Sequence, residues 1–249
     1  MQAVVISNHS RRKYPTLRYF FSCLRGYLVI KWLNTKLRQA VVDYDFNAYT
    51  RLIADFANND LSAFYFDIRK DCLYCDAPDN PKRRAYRSVL DTLFHALVRW
   101  SAPVLVFTAE EVWGTRYPDG GSVHLLEWPE LLFSREGGSP GLDPRLRGDT
   151  ELVERWTRLR ALRSSVTDAI EPLRRDKTIR SSLEAEVALP DEGDKDLLAE
   201  LFIVSKVVNG EALTVTKTDN AKCGRCWRLL PEVTEDGDLC DRCEEVVHA

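Results

Sequence analysis

The sequence predicts a mainly α-helical protein, in which an antiparallel helical bundle is followed by a small α+β unit and a cysteine-rich ribbon. Three observations support this order. Apolar residues recur at helical spacing between positions 44 and 113 and again between 151 and 175. Apolar and polar side chains alternate over 183–189, as in a strand. Two closely spaced cysteine pairs in the last 27 residues indicate a separate compact module.

Four segments have the pattern of amphipathic helices. They cover about 44–74, 84–100, 104–113 and 151–175, and Gly114 is expected to end the third. The clearest is 84–100, whose apolar face consists of Val89, Leu90, Leu93, Phe94 and Leu97. Because each segment is apolar on one side only, the helices are expected to pack as antiparallel neighbours.

The second half of the chain has shorter elements. A strand is expected over 183–189, a short helix over 199–208 and a second strand over 212–216. Residues 134–149 are rich in glycine and proline, so a packed element is implausible there. We interpret this segment as an exposed linker or insertion.

The cysteine pairs are Cys-Gly-Arg-Cys at 223–226 and Cys-Asp-Arg-Cys at 240–243, with thirteen residues between them. Each C-x-x-C is a tight turn that directs two thiolates at one point, and this spacing is close to that of four-cysteine zinc sites. Four thiolates complete a tetrahedral site with no open position, which predicts one structural Zn²⁺ ion. The predicted ligands are Cys223, Cys226, Cys240 and Cys243. Four unrelated free thiols or two disulfides are the alternatives.

The whole-chain composition is that of an ordinary globular protein: 249 residues, 45% hydrophobic and 29% charged, with a formal net charge of −3. This charge gives no general attraction to nucleic acid. Zinc-binding thiolates must stay reduced, which favours the cytosol. No stretch approaches the ~20 apolar residues of a membrane span, so no membrane partner is expected.

Several segments occur in the order that is found in one family. They are Asp43–Asn47, Asn59–Asp71, Ala102–Trp113, Gly121–Leu125 and Ser181–Ala185, followed by the cysteine motif. From about residue 41 to the end, the chain resembles the C-terminal part of bacterial isoleucyl-tRNA synthetases. The resemblance implies a helical bundle of the anticodon-binding type over 41–133, the linker or insertion over 134–149, a helix plus a small α+β unit over 150–217, and a zinc-binding module over 218–249.

The sequence also departs from this family. Residues 1–40 match poorly and form an atypical lead segment, which we interpret as a fragment start or a frameshifted stretch. Arg180 stands where the family usually has glycine. The family's adenylation motifs, His-x-Gly-His and Lys-Met-Ser-Lys-Ser, are absent, since Met1 is the only methionine and the four histidines are far apart. The chain therefore lacks the ATP-dependent adenylation domain and the editing domain, and we predict that alone it is inactive as a ligase.

Candidate RNA-binding residues fall into three groups. In the cysteine motif, Arg225, Trp227 and Arg228 would face RNA, because a base stacks on an aromatic ring while guanidinium groups meet phosphate. Trp227 could equally cover the module's own small core, and the cations Lys222, Arg225, Arg228 and Arg242 could serve only to offset the negative charge of the zinc thiolates. With the resemblance, two further basic clusters become candidates for contacts to the tRNA backbone, although such clusters are usually solvated faces. The first comprises Lys82, Arg83, Arg84 and Arg87. The second lies in the later helix and contains Arg155, Arg158, Arg174, Arg175, Lys177 and Arg180, of which Arg174, Arg175 and Lys177 are the residues predicted to bind RNA.

The favoured hypothesis is the tRNA-recognition part of an isoleucine–tRNA ligase, which binds isoleucine-accepting tRNA and has the missing catalytic part as a second partner. The alternative is a free-standing zinc-dependent adaptor for RNA or protein, derived from a synthetase. A third C-x-x-C, Cys72 to Cys75, suggests thiol redox chemistry. It is better explained as a coincidence at a helix end, because no second pair remains to accompany it.

Overall fold

The computed structural model describes residues 26–129, 146–190 and 193–248, which are mostly helical with one small sheet. The mainly α-helical prediction is thus confirmed. In chain order, the elements are α1 (Gly26–Val42), α2 (Phe46–Asp55), a π-helical segment (Phe56–Phe66), α3 (Asp67–Cys75), α4 (Pro81–Ser101), α5 (Val106–Arg116), α6 (Leu146–Arg175), β1 (Ala185–Leu189), α7 (Lys195–Phe202), β2 (Lys206–Asn209), β3 (Thr214–Lys217) and α8 (Asp241–His248).

The described residues divide into two compact units. The first, here called the helical unit, comprises 26–67, 81–129 and 146–153, and the second comprises 68–80, 154–190 and 193–248. Helix α1 begins at residue 26 and buries Ile30, Leu33 and Leu37. The helical unit therefore extends back into the segment that was expected to be an atypical lead.

Within 44–74 the sequence has two apolar stripes at helical spacing, and the helix changes its type between them. The first stripe is Leu52, Ile53 and Phe56, and the second is Leu61, Phe64, Tyr65 and Ile68. Residues Phe56–Phe66 form a π-helix, whose hydrogen bonds join residues five apart. Its wider turn puts Phe56 and Leu61 on one side, and both are buried together with Phe64 and Tyr65. The apolar pattern shifts its phase here because the helix widens, and the helical run continues into α3.

Large aromatic side chains form the centre of the helical unit. Trp100 and Tyr49 are fully buried, and the Tyr49 hydroxyl donates a hydrogen bond of 2.6 Å to the Trp100 carbonyl oxygen. Tyr65 meets Tyr86 edge-on, with 5.4 Å between the ring centroids. Such pairs add stabilisation beyond the apolar area that they bury.

The second unit contains a three-stranded sheet in the order β2-β1-β3, in which β1 pairs parallel with β2 and antiparallel with β3. The buried face of β1 consists of Ala185, Val187 and Leu189, as the alternating pattern predicted. Helix α7 connects β1 to β2. An ion pair of 2.6 Å between Arg69 and Glu200 joins α3 to α7.

Two local predictions are wrong. Gly114 does not end its helix, because α5 continues to Arg116; a glycine in a helix interior costs about 1 kcal/mol but does not by itself stop the helix. The expected helix over 199–208 ends early, at Phe202. Ile203 there takes a left-handed conformation (φ 58°), and the chain continues as β2.

Two further observations concern predicted segments. Most of the expected linker over 134–149 lies outside the described residues, and its last four residues belong to α6, which begins at Leu146. Among the described helices, none is both long enough and apolar enough to cross a membrane.

Candidate metal centre and its surroundings

The two C-x-x-C turns bring four buried thiols together. The sulfur atoms of Cys223, Cys226, Cys240 and Cys243 all lie within 4.8 Å of one another. The Sγ atoms of Cys226 and Cys240 are 3.8 Å apart. A tetrahedral ion with metal–sulfur bonds of ~2.3 Å requires sulfurs roughly 3.8 Å apart, so the four residues fit a metal ion of the zinc type.

Close backbone contacts shape the first turn, in a segment that we call the cysteine module (residues 222–248). The Gly224 N–H donates to the Asp238 carbonyl oxygen at 2.9 Å, and the Gly237 N–H donates to the Lys222 carbonyl oxygen at 2.9 Å. A Cβ atom on Gly224 would collide with the carbonyl oxygen of Gly237. Gly237 itself has a φ of 105°, a conformation that favours glycine. These two glycines allow the halves of the module to approach.

Arg242, between the last two cysteines, binds two carboxylates at the end of α3. Its guanidinium forms paired hydrogen bonds of 2.7 and 3.0 Å to Asp71 and a third of 3.1 Å to Asp76. Burial alone would raise the pKa of Asp71, but the hydrogen bond and charge of Arg242 outweigh it and lower that pKa below its ordinary value. Asp71 is therefore ionised at neutral pH, and the module is joined to α3 by charge-assisted bonds.

Arg225, in the first turn, binds the same helix end through its carbonyl oxygens. Its guanidinium donates to the carbonyl oxygens of Cys75 at 2.7 Å and Tyr74 at 3.4 Å, and it lies 3.5 Å from the Cys243 sulfur. A cation at a helix C-terminus interacts favourably with the helix dipole. The structure thus places this predicted RNA-binding residue against protein groups.

The third C-x-x-C ends beside the metal centre. Cys75 belongs to the same buried cluster as the four close thiols. Burial, with a further contribution from the Asp71 carboxylate, raises the pKa of the Cys75 thiol to about 12, so it is protonated at neutral pH. Cys72 is also buried. Among the described residues, neither Cys72 nor Cys75 belongs to the group that could ligate a metal ion. Cys75 packs against the four thiols of that group.

Trp227 follows the first turn and is largely exposed. Its residue surface is 62% accessible, and its φ is 65°. The Lys222 ammonium lies 5.4 Å from the ring centroid. Most of the ring is therefore exposed to solvent and not buried in the core of the module. Its neighbour Arg228 is half-buried, and the Arg228 carbonyl oxygen accepts a hydrogen bond of 2.9 Å from the Cys223 N–H.

The other predicted RNA-binding residues lie on two helix ends. Lys82, Arg83, Arg84 and Arg87 occupy the first two turns of α4, in the helical unit, where Arg84 and Arg87 are exposed. Arg174 and Arg175 end α6, in the second unit, and Lys177 follows with a φ of 64°. All three are exposed, and Arg174 pairs with Glu171 at 2.9 Å.

Sequence reasoning missed the carboxylates that hold the module. Asp71 and Asp76 are 171 and 166 residues away from Arg242, and no spacing rule connects them. The one available signal was that these two acids directly flank the third C-x-x-C motif, Cys72–Cys75.

The fold and the four-thiol centre together define a mostly helical protein with a module whose four clustered thiols could hold a metal ion. Residues 30–189 match the anticodon-binding domain of tRNA ligases. This match covers more than half of the chain, and the chain belongs to that family.

Curated relatives of the chain carry the name isoleucine–tRNA ligase. The protein from Zymomonas mobilis is 52% identical over 86% of this chain and 23% of its own length. Those from Gluconobacter oxydans and Agrobacterium fabrum are 45% and 41% identical, over 78% and 82% of the chain and 21% and 22% of their own lengths. The resemblance seen in the sequence is confirmed. The chain spans less than a quarter of the length of these relatives and corresponds to a C-terminal portion of them.

Proposed function

We propose that this chain is the tRNA-recognition part of an isoleucine–tRNA ligase and that it binds the anticodon region of isoleucine-accepting tRNA. The observation that carries the proposal is the match of residues 30–189 to the anticodon-binding domain. The names of the relatives support isoleucine as the amino acid. In this proposal the helices form the antiparallel bundle of the anticodon-binding type, and the protein works in the cytosol, where thiolates stay reduced.

The four thiols hold one structural Zn²⁺ ion in this proposal. Buried sulfurs at the spacing of a tetrahedron support four thiolate ligands, and such a closed site supplies folding energy and not catalysis. Arg225 and Arg242 reach from the turns to the end of α3, so ligation fixes where the module lies on that helix. The ion thereby orients the surface around Trp227.

Trp227 is proposed as a platform on which an RNA base stacks. A bulky side chain in the left-handed region is strained by about 1–3 kcal/mol, and an exposed ring gains little from burial. Glycine would adopt this conformation without strain. A costly and exposed aromatic ring is therefore better explained by a ligand than by stability.

Cations around these surfaces would contact the phosphate backbone. Arg84 and Arg87, with Lys82 and Arg83, crowd the N-terminal end of α4, where positive charge opposes the helix dipole. A bound phosphate would relieve this unfavourable arrangement. Arg228 stands beside Trp227, whereas Arg225 acts on RNA through the turn that it holds. The cluster Arg174, Arg175 and Lys177 is treated below.

Charging of tRNA would need the remaining three quarters of the relatives' length, in the same polypeptide or as a separate one. The residues of this chain contain neither adenylation motif. ATP and isoleucine would bind to that other part, which we propose as the second partner.

The substitution Trp227→Gly separates RNA binding from stability. We expect the affinity for isoleucine-accepting tRNA to fall by the worth of one stacked base, about 1–3 kcal/mol. Thermal stability should stay the same or rise, because the strain at φ 65° is relieved. Titration of labelled tRNA and thermal unfolding of the metal-loaded chain measure the two effects.

Trp32→Ala is the matched control, since Trp32 is also exposed but lies on α1 in the helical unit, outside the cysteine module. If the Trp227→Gly variant binds tRNA with unchanged affinity, the proposal that a base stacks on Trp227 is wrong. Equal affinity for unrelated tRNAs would instead contradict the isoleucine assignment and favour a general RNA adaptor. A stable protein complex that forms without RNA would favour a protein adaptor.

A further inference from the structure

An open cleft of about 560 Å³ lies at the C-terminal end of α6, within the second unit. Four of its lining residues are cations and one is an acid. The lining residues are Glu171, Arg174, Arg175, Lys177, Ile179 and Arg180. Ile179 is buried and gives the cleft an apolar floor.

The chain makes this cleft by turning back after α6. The Lys177 N–H donates to the Arg174 carbonyl oxygen at 3.3 Å, and the left-handed conformation of Lys177 reverses the chain. The Ile179 N–H then donates to the Leu173 carbonyl oxygen at 3.1 Å. This bond fixes the returning chain beside the helix, so that Arg180 lines the same cleft as the cations of the last helical turn.

The positive charge of the cleft is only partly offset. Glu171 pairs with Arg174 at 2.9 Å. The carboxylates of Asp176 and Glu184 accept backbone N–H groups of Thr178 and Arg180, at 3.0 and 3.2 Å. Within the described part of the chain, no ion pair is formed by the side chains of Arg175, Lys177 and Arg180.

Stabilisation of the helix does not account for this many cations. The C-terminal dipole of a helix amounts to roughly half an elementary charge, which one arginine more than balances. Arg180 lies beyond the helix, and among the described residues it is not one with a left-handed backbone. Arginine therefore fits there without strain, although the family resemblance implied glycine, and it adds a cation that the fold does not require.

We propose that this cleft binds the phosphodiester backbone of tRNA, without reading bases. The inference rests on the proposed function and assigns one of its contact sites. Guanidinium groups bind phosphate oxygens through paired hydrogen bonds, and the Lys177 ammonium adds a point charge. The volume falls within the range of about 300–1,000 Å³ that is usual for ligand sites, so it suits a phosphate with its ribose better than a single ion. The ribose would lie against Ile179.

The test is the salt dependence of tRNA binding by the full metal-loaded chain with the double substitution Arg175→Ala/Arg180→Ala. Each lost phosphate contact should lower the slope of log affinity against log salt by about 0.7–0.9. Two lost contacts should weaken binding by about tenfold or more at 0.1 M salt. Lys177 is left unchanged because of its positive φ.

The matched control is Lys206→Ala/Lys217→Ala, which removes two exposed cations from β2 and β3 of the same unit, outside the cleft. Its slope and affinity should equal those of the unsubstituted chain, and thermal unfolding should show that both variants are folded. An unchanged slope in the cleft variant, or an equal loss in the control, would overturn the cleft site. Displacement of tRNA by millimolar inorganic phosphate, at constant ionic strength, would also overturn it, since the site would then be one for small anions.

Failure of the proposed function gives a different result. If the unsubstituted chain shows no affinity for any tRNA, the tRNA-recognition role is wrong and the cleft assignment is overturned with it. If the unsubstituted chain binds tRNA, and the cleft variant binds it with the same affinity and salt dependence as the control variant, the cleft assignment alone is overturned.

Discussion

The helical unit and the cysteine module are held together by different physical means. The helical unit is centred on buried aromatic and aliphatic side chains, among them Trp100 and Tyr49. The module has a buried cluster made mainly of thiols, and its arginines bind the end of α3 through charged hydrogen bonds. Burial of apolar side chains stabilises a fold without a cofactor. The module buries few apolar side chains besides its cysteines, so burial contributes less to its stability. The difference teaches that clustered thiols and charged hydrogen bonds hold one region together, whereas apolar packing holds the other.

Removal of the proposed metal ion should have the largest effect, and the effect should differ between the two regions. Metal binding supplies on the order of 10 kcal/mol of folding free energy in small four-ligand modules, so a zinc chelator should unfold residues 222–248. The helical unit should keep its structure, because its core contains none of the four thiols. Amide hydrogen exchange measures both, and we expect protection to be lost in the module and at the end of α3 but kept in α4.

Cys226→Ser should reproduce the chelator result without a chelator. Its matched control is Cys72→Ser, which changes a buried thiol outside the four-sulfur cluster and should leave the metal content at one ion per chain. If the amides of the metal-free module stay protected from hydrogen exchange, packing alone is sufficient to fold the module. The two regions would then not differ in what stabilises them.

Loss of Arg242 should have the next largest effect. Arg242→Ala leaves the carboxylates of Asp71 and Asp76 without their partner, and Asp76 is buried. Breaking such a pair costs about 3–5 kcal/mol when fully buried, and we expect about 2–3 kcal/mol here because Arg242 and Asp71 are partly exposed. Chemical denaturation of the metal-loaded chain at pH 7 measures the loss.

The pH of this measurement follows from the lowered pKa of Asp71. A carboxylate whose pKa is depressed by folding stabilises the fold fully above its unfolded value of ~3.9, and this contribution is lost as the pH falls through the folded value. At pH 7 the pair is therefore intact. Arg242→Lys should restore only part of the stability, since lysine cannot form the paired bonds to Asp71. Full restoration would mean that charge alone matters.

The comparison also shows what the sequence could predict. The four cysteines were predictable because each pair is a local motif whose chemistry does not depend on the rest of the fold. The buried face of α4 was partly predictable, since helical spacing marks Val89 and Leu93. The partners of Arg225 and Arg242 were not, because 150 or more residues separate them from α3 and only the fold brings them together.

Errors within the helices have a similar origin. Local propensity suggested that Gly114 ends α5 and that one helix covers 199–208. Neither holds, because α5 continues to Arg116 and α7 ends at Phe202, and preferences of about 1 kcal/mol per residue do not by themselves decide where a helix ends. The apolar stripes of 44–74 were visible, but the π-helical segment between them was not, since a sequence pattern alone does not reveal which residues pair five apart.

The smallest predicted change in stability comes from replacing one glycine by alanine in each of the two regions. Gly114→Ala should raise the stability of the helical unit by about 0.5–1 kcal/mol, because glycine is a poor residue for a helix interior and a Cβ atom there meets nothing within 4 Å. Gly224→Ala should have the opposite sign, since its Cβ would press on the Gly237 carbonyl oxygen and the module would have to open. Thermal unfolding reports the first change, and competition with a coloured zinc chelator reports the weaker metal binding of the second. A stabilised Gly224→Ala variant would mean that the two halves of the module do not approach as closely as the thiol cluster requires, and the metal centre would then need a different geometry.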